Sequence, residues 1–232
     1  KAEDGIRDFC LSRGLGDVYK RQILGLLRTD DKKVFNSLVF LNSNGDIIHN
    51  YDKIKLVPFG EYIPFRKYLG ALTEMLAPKD FTSGKLKINP SIYAFEDIVT
   101  LICYEILFTN EIVRRLTKNT NLLINITNDA WFGKTIGPYQ HLALAKIKAV
   151  EFGLPLARVA NTGVSAYISP YGETIGRIPL DNKGEKTFYQ IPALNNTLYK
   201  IYGEYIFVVI IFILLVINII YIFTKGKRLN EK

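Results

Sequence analysis

The chain is poor in the residues that most often build reactive centres. It has two cysteines, Cys10 and Cys103, and two histidines, His49 and His141, in 232 residues. Two thiols cannot form a disulfide framework for a chain of this length. There is no CxxC pair and no His/Cys cluster with metal-ligand spacing, so no metal and no cofactor is expected. A thiol that reacts in a chain so short of histidine needs a base other than imidazole. Concentrated charge is also lacking. The formal charge is +8, but residues 1–22 carry +1 and the tail 224–232 carries +3, which leaves +4 spread over residues 23–223. No basic stripe is interleaved with stacking aromatics, so nucleic acid is excluded as an expected partner. The opening stretch, KAEDGIRDFCLSRGLGDVYKRQ, lacks the apolar region of a secretory signal.

What the chain does have is apolar mass, 48% of its residues, enough for a sizeable core. Its longest apolar run is YIFVVIIFILLVINIIYIF, residues 205–223, with Asn218 as the single amide and no charge. About 20 such residues cross the roughly 30 Å of a bilayer's hydrocarbon. Tyr205 and Tyr221 stand near its ends, where amphipathic rings favour the interface. The competing reading is a buried core helix. A basic tail follows at once, and positive charge stays cytoplasmic. We therefore expect a transmembrane helix over 205–223, a basic cytoplasmic tail over 224–232, and residues 23–204 on the opposite face. A domain so placed must be delivered, which leads us to expect upstream membrane segments.

From residue 34 the periodicity is that of strands. VFNSLVFL (34–41) and IIHNY (47–51) flank Asn44-Gly45, a strong hairpin signal. In FRKYLGALTEML (65–76) the residues Phe65, Tyr68, Leu69, Leu72, Met75 and Leu76 have helical spacing. DIVTLIC (97–103) and NLLINIT (121–127) read as core strands. NEIVRRLTK (110–118) reads as a helix, and so does GPYQHLALAKIKAVEFG (137–153), with Pro138 suited to its first turn. Strands are expected over 155–161, 164–169, 174–179 and 186–192, with a turn at PYGE (170–173). Singly interspersed helices among dominant strands predict α/β layers over a mixed sheet.

Three charged landmarks fall at predicted strand ends, where layered α/β folds place their sites. The first is YDKIKLVPFGEYIPF (51–65), with Lys53 after a strand and Glu61 eight residues on. The second is Cys103-Tyr104-Glu105. The third is NITNDAWFG (125–133), with Asn128, Asp129 and the only tryptophan, Trp131. A thiolate is the reactive form of cysteine, and a cation such as Lys53 favours it. Lys53 and the backbone N–H of Tyr104 could also donate to an oxyanion. A carboxylate raised by burial could take the thiol proton, and Glu61 or Glu105 could hold Lys53 in place. Together these groups suit acyl transfer through a thioester. Each also has a plainer reading: an inert buried thiol, a pair of surface charges, and a turn with an anchoring indole.

KxxLVPFGEYIP, ICYEILF and NDAWFGxxxGPxQHLALAxxxAxExGxPxxRxANTGxSAxIxxxG resemble the nitrilase-like domain of the bacterial apolipoprotein N-acyltransferase family. The resemblance covers residues 23 to 223. It implies an α-β-β-α sandwich, here at residues 23–200, followed by the closing transmembrane helix. It implies a ping-pong transfer of a fatty acyl chain from a phospholipid donor to the N-terminal amine of a diacylglyceryl-cysteine apolipoprotein, at the periplasmic face of the inner membrane. By position Cys103 matches the nucleophile and Lys53 the triad lysine. Glu61 and Glu105 match the supporting acids, with Tyr104 beside the thiol.

Two departures stand out. The family's general-base glutamate lies upstream of the lysine in a Pro-Glu strand-end motif that is missing here, and Glu3 is a poor substitute. The multi-helix membrane domain is missing too. Residues 1–22 match nothing in the family and are expected to be a non-native or unstructured leader. The chain therefore reads as a C-terminal fragment that keeps nucleophile and lysine but is inactive alone. Residues 56–76, with Phe59, Tyr62 and Ile63, are expected to form an apolar portal for a lipid tail, or else to pack inward. Trp131 and Asn128 are pocket candidates. His141 is expected to be a structural hydrogen-bonding residue, and Arg158 and residues 161–165 either shape the pocket or only pack. The rival functions are a membrane-tethered amidase acting on a small amide, and a scaffold without chemistry.

Overall fold

The structure, a computed structural model, describes residues 22–69, 80–85 and 98–230. Three strands open it: β1 (Gln22–Asp30), β2 (Lys33–Leu41) and β3 (Ile47–Asp52), paired antiparallel in the order β1-β2-β3. The expected hairpin at Asn44-Gly45 is there, with Gly45 at φ 86°. β1 was not foreseen. Its hairpin to β2 turns through Asp31 and Lys32, both at positive φ. That is the twist a two-residue loop needs, here made without the Asn-Gly signature.

The second sheet holds β4 (Ile98–Ile102), β5 (Leu122–Asn128), β6 (Leu156–Asn161), β7 (Ser165–Ile168) and β8 (Thr174–Ile178) in sequence order. β4, β5 and β6 run parallel, whereas β7 and β8 are antiparallel. Strand alternation divides its side chains between two cores. Ile102, Ile124 and Ile126 face Leu38 and Phe40 of the first sheet. Val99, Leu101, Leu123 and Leu156 face the other way, against Ala145, Ala149 and Phe152 of a long helix. Among the described residues the layers are therefore sheet, sheet and helix, in the α/β sandwich expected.

The helices are α1 (Arg66–Leu69), α2 (Thr109–Val113), α3 (Gly137–Phe152), α4 (Leu198–Tyr202) and α5 (Tyr205–Asn230). α3 matches its expected span, with Pro138 in the first turn and Gly153 as a left-handed cap at φ 62°. Only Arg66–Leu69 of the helix expected over 65–76 is described; residues 70–79 lie outside the described residues, as do 1–21 of the expected leader. The helix expected over 110–118 is corrected to Thr109–Val113. Beyond it, Thr117 and Thr120 tie the backbone into local hydrogen bonds that compete with helix. No strand forms at 186–192. That segment is pinned by side chains instead: Phe188 stacks on Tyr167 at 5.0 Å, and Ile191 donates its N–H to the Tyr167 hydroxyl at 3.0 Å. In α5 the window Tyr205–Ile222 has a mean hydropathy of 3.1 and none of it is buried, so it is long and apolar enough to cross a membrane.

Candidate active site

Cys103 stands where β4 ends and a 3-10 turn, Cys103–Leu107, begins. Its φ is +52°, a left-handed conformation that costs a non-glycine residue on the order of 1–3 kcal/mol and persists only when neighbours enforce it. Two buried side chains do so. Glu105 accepts the Ile102 N–H at 2.9 Å on one oxygen. Its other oxygen accepts the Tyr51 hydroxyl at 2.8 Å and the N–H groups of Ile54 and Lys55 at 2.8 and 3.1 Å. From the other side Asn125 donates to the carbonyls of Leu101 and Cys103, at 3.3 and 3.1 Å. Glu105 thus ties the Cys103 turn to the loop that follows Lys53. It belongs to a wider brace, since Arg115 donates to the Tyr51 hydroxyl and to Glu111. Burial and the Glu105 charge push the Tyr51 phenol far above its ordinary range.

Lys53 is buried and its backbone N–H is held by the Asn36 carbonyl at 2.8 Å. Its ammonium donates to both oxygens of Glu61, at 2.8 and 2.7 Å. A tight turn makes this possible: Phe59 adopts φ +62°, and the Glu61 N–H reaches the Val57 carbonyl at 2.8 Å. Glu61 also accepts from the Asn36 amide at 3.0 Å and the Val57 N–H at 2.8 Å. The pair is thus desolvated and fixed in geometry, with two of the ammonium's three N–H groups on Glu61.

Cys103 and Glu61 line one cavity of about 180 Å³. Gly25, Leu26 and Leu27 of β1 form one wall, and Asn128 and Trp131 stand at another. Asn128 caps the 3-10 turn Asp129–Phe132 by accepting the Ala130 N–H. Trp131 is 74% exposed, placed at the rim. A larger depression of about 810 Å³ lies between α3 and residues 194–199. It includes neither Cys103 nor Lys53 nor Glu61.

Behind Cys103, on the helix side of β5, a second polar layer is buried. Arg158 is paired with Asn125 in the β5–β6 ladder and donates to its side-chain oxygen. It also donates to Asp129 at 2.8 Å. His141 Nδ1 lies 3.0 Å from Asp129 and 3.1 Å from the Arg158 guanidinium, so His141 takes the hydrogen-bonding place expected of it. Burial pushes the Asp129 carboxyl up, but the His141 bond and the Arg158 charge outweigh this and hold it below the ordinary value. Gly163 explains the NTGVS stretch: an added Cβ would stand 2.3 Å from the Asp129 carboxylate.

The candidates do not all fall together. Cys103, Glu61, Asn128 and Trp131 share the cavity; Lys53 does not line it but is bonded to Glu61, which does. Glu105 meets the backbone after Lys53, not the ammonium. Of the portal residues, Phe59 is 78% exposed and Tyr62 half-buried. Ile63 is corrected: only 7% exposed, with its N–H on Asp80 at 3.1 Å, it packs inward because the 58–62 turn reverses the chain. Tyr51, Asn125 and Arg115 were missed. Only a polar residue inside an otherwise apolar strand pattern could have flagged Asn125.

A family profile described as carbon-nitrogen hydrolase matches residues 18–197. The chain is 40% identical over 171 residues to an apolipoprotein N-acyltransferase of Rhizobium rhizogenes, covering 70% of this chain and 32% of that protein. It is 40% identical over 159 residues to one of Brucella suis, covering 66% and 29%. It thus spans about a third of the length of these curated relatives. Among solved structures, a cysteine-to-alanine mutant of the Nesterenkonia AN1 amidase from the nitrilase superfamily superposes with a TM-score of 0.50 at 17% identity, over 69% of this chain and 58% of the other. That likeness concerns the fold.

Proposed function

The chain belongs to the carbon-nitrogen hydrolase family, and from that premise we propose that it is the catalytic part of a membrane acyltransferase. The donor is a phospholipid and the acceptor is the N-terminal amine of a diacylglyceryl-cysteine apolipoprotein. One observation carries the reading: Cys103, held at φ +52°, opens on the same cavity as the carboxylate that clamps Lys53.

In this reading the Cys103 sulfur attacks the donor's ester carbonyl. The Lys53 ammonium and the Tyr104 N–H receive the developing oxyanion. The lysophospholipid leaves as an alcohol, taking a proton, and the acyl group remains as a thioester. The apolipoprotein amine then attacks that thioester, loses a proton and leaves as the amide, which restores the thiol. Glu61 fixes Lys53, and Glu105 braces the turn. Both carboxylates are already occupied by donors, so neither is free to carry the thiol proton. We infer that the proton acceptor comes from outside the described residues. The helix within 205–222 anchors the domain in the inner membrane, with the basic tail cytoplasmic and residues 23–204 periplasmic.

The cavity's modest 180 Å³ favours a second reading, an amidase acting on a small amide. A product assay separates the two. A vesicle-reconstituted protein containing this sequence and the remaining length of its relatives receives an acyl-labelled phospholipid and a diacylglyceryl-cysteine peptide. We expect label in the peptide's new amide, lost in Cys103→Ala. Ammonia released from a small amide, with no acyl transfer, would select the amidase.

A further inference from the structure

The buried layer beneath Cys103 is larger than a clamp needs. Arg158 has a side chain with 0% exposure, at a β6 position whose neighbour in the same core is Leu156. A guanidinium in an apolar layer is costly unless paired and hydrogen-bonded. Beside its contact with His141 at 3.1 Å, its bonds go in two directions. One runs to Asp129 at 2.8 Å. The other runs to the Asn125 oxygen, and the Asn125 amide in turn donates to the Cys103 carbonyl at 3.1 Å. The Arg158 Nε has no hydrogen-bond partner among the described residues.

We propose that Arg158 is a positioning residue for the nucleophile, acting through Asn125 to lock the left-handed turn at Cys103 and to direct positive potential at its sulfur. The inference rests on the acyl-transfer reading only in taking Cys103 as the nucleophile. The asparagine amide has two ends. With its oxygen bound to the guanidinium, its N–H groups must point at the 101 and 103 carbonyls, and a fixed cation polarises that bond. The carbonyl of Cys103 thus cannot rotate without breaking the chain of bonds back to β6. The electrostatic coupling is mutual: a negative charge on Cys103 favours the charged form of Arg158, against the burial that lowers it. Asp129 has the opposite effect, as the nearest counter-charge to Arg158. The other titratable groups about the thiol are Lys53 and Glu61 at the cavity, Glu105 within the turn and His141 on α3.

The readout is the pH profile of Cys103 alkylation by iodoacetamide, followed on the Cys103 peptide by mass spectrometry in the full chain. Alkylation proceeds through the thiolate, so the profile's midpoint reports its stabilisation and needs no acyl substrate. Arg158→Met should raise the midpoint by about one pH unit, roughly a tenfold loss of rate near neutrality. Arg158→Lys, which keeps the charge, should recover most of that shift. Asp129→Asn should move the midpoint down, because it removes the counter-charge and leaves Arg158 in place. A protein altered only in packing would not give shifts of opposite sign. If Arg158→Met fails to fold, Asp129→Asn and Arg158→Lys still decide the matter. An Asp129→Asn midpoint that is unchanged or higher overturns the proposal. Normal alkylation shifts in a protein that never transfers an acyl group would overturn the acyltransferase reading and leave this role standing. A wild-type Cys103 that iodoacetamide never labels overturns both.

Discussion

At the scale of the residue, the two glutamates near the thiol do different work, and substitution should separate them. Glu61 bonds the Lys53 ammonium through both oxygens. Glu105 bonds only backbone N–H groups and the Tyr51 hydroxyl, with Arg115 more distant at 3.8 Å. Glu61→Gln leaves Lys53 buried without its counter-charge, and its ammonium free to turn away from the oxyanion. We expect kcat to fall by about 10²–10³, the usual loss when one oxyanion donor is misplaced. Glu105→Gln places an NH₂ group where an acceptor is required, next to donors that cannot turn away. It should lower stability by about 1–3 kcal/mol for each donor left unsatisfied, seen as a lower thermal midpoint. Equal losses of stability in both variants, with equal kcat, would contradict this division. Sequence alone could not assign these parts. Both glutamates follow strand ends, and nothing in their spacing tells which one meets an amine and which meets amides.

At the scale of the element, legibility followed the strength of the periodic signal. β4, β5 and α3 were readable because each buries an apolar set at its own period: Val99 and Leu101 on one side of β4, and Ala145, Ala149 and Phe152 on α3. β1 escaped because Asp31-Lys32 replaces the usual turn residues, yet β1 supplies a cavity wall. The 3-10 turn at Cys103–Leu107 escaped because it follows from bonds that join its Glu105 to Tyr51 and Ile54, and its Cys103 carbonyl to Asn125, not from local propensity. The loop 53–65 was half legible. Its apolar residues were evident, but which face water depended on a turn closed by Phe59 at positive φ. The portal proposal is now confined to Phe59 and Tyr62, with Phe65 added because it is 78% exposed. Phe59→Asp should leave the stability within about 0.5 kcal/mol of wild type and raise the KM for phospholipid. Ile63→Asp should unfold the domain, because it buries a charge. An unchanged KM in a well-folded Phe59→Asp variant would remove the portal.

At the scale of the whole molecule, the described fold combines a soluble-type sandwich with an unburied apolar helix at 205–222. A small-amide enzyme has no evident need for that helix, whereas an enzyme drawing its donor from the bilayer does. The chain matches about a third of the length of its curated relatives, so the complete reaction is proposed for the longer protein. The proposed reaction turns on one covalent bond, the thioester at Cys103. The most direct test is mass spectrometry of the peptide containing Cys103, taken from that longer protein after incubation in phospholipid vesicles without acceptor. We expect a fatty-acyl adduct on Cys103 that hydroxylamine removes and an apolipoprotein-like amine discharges. A Cys103 peptide that stays unmodified while the labelled acyl group still reaches the acceptor amine would contradict it.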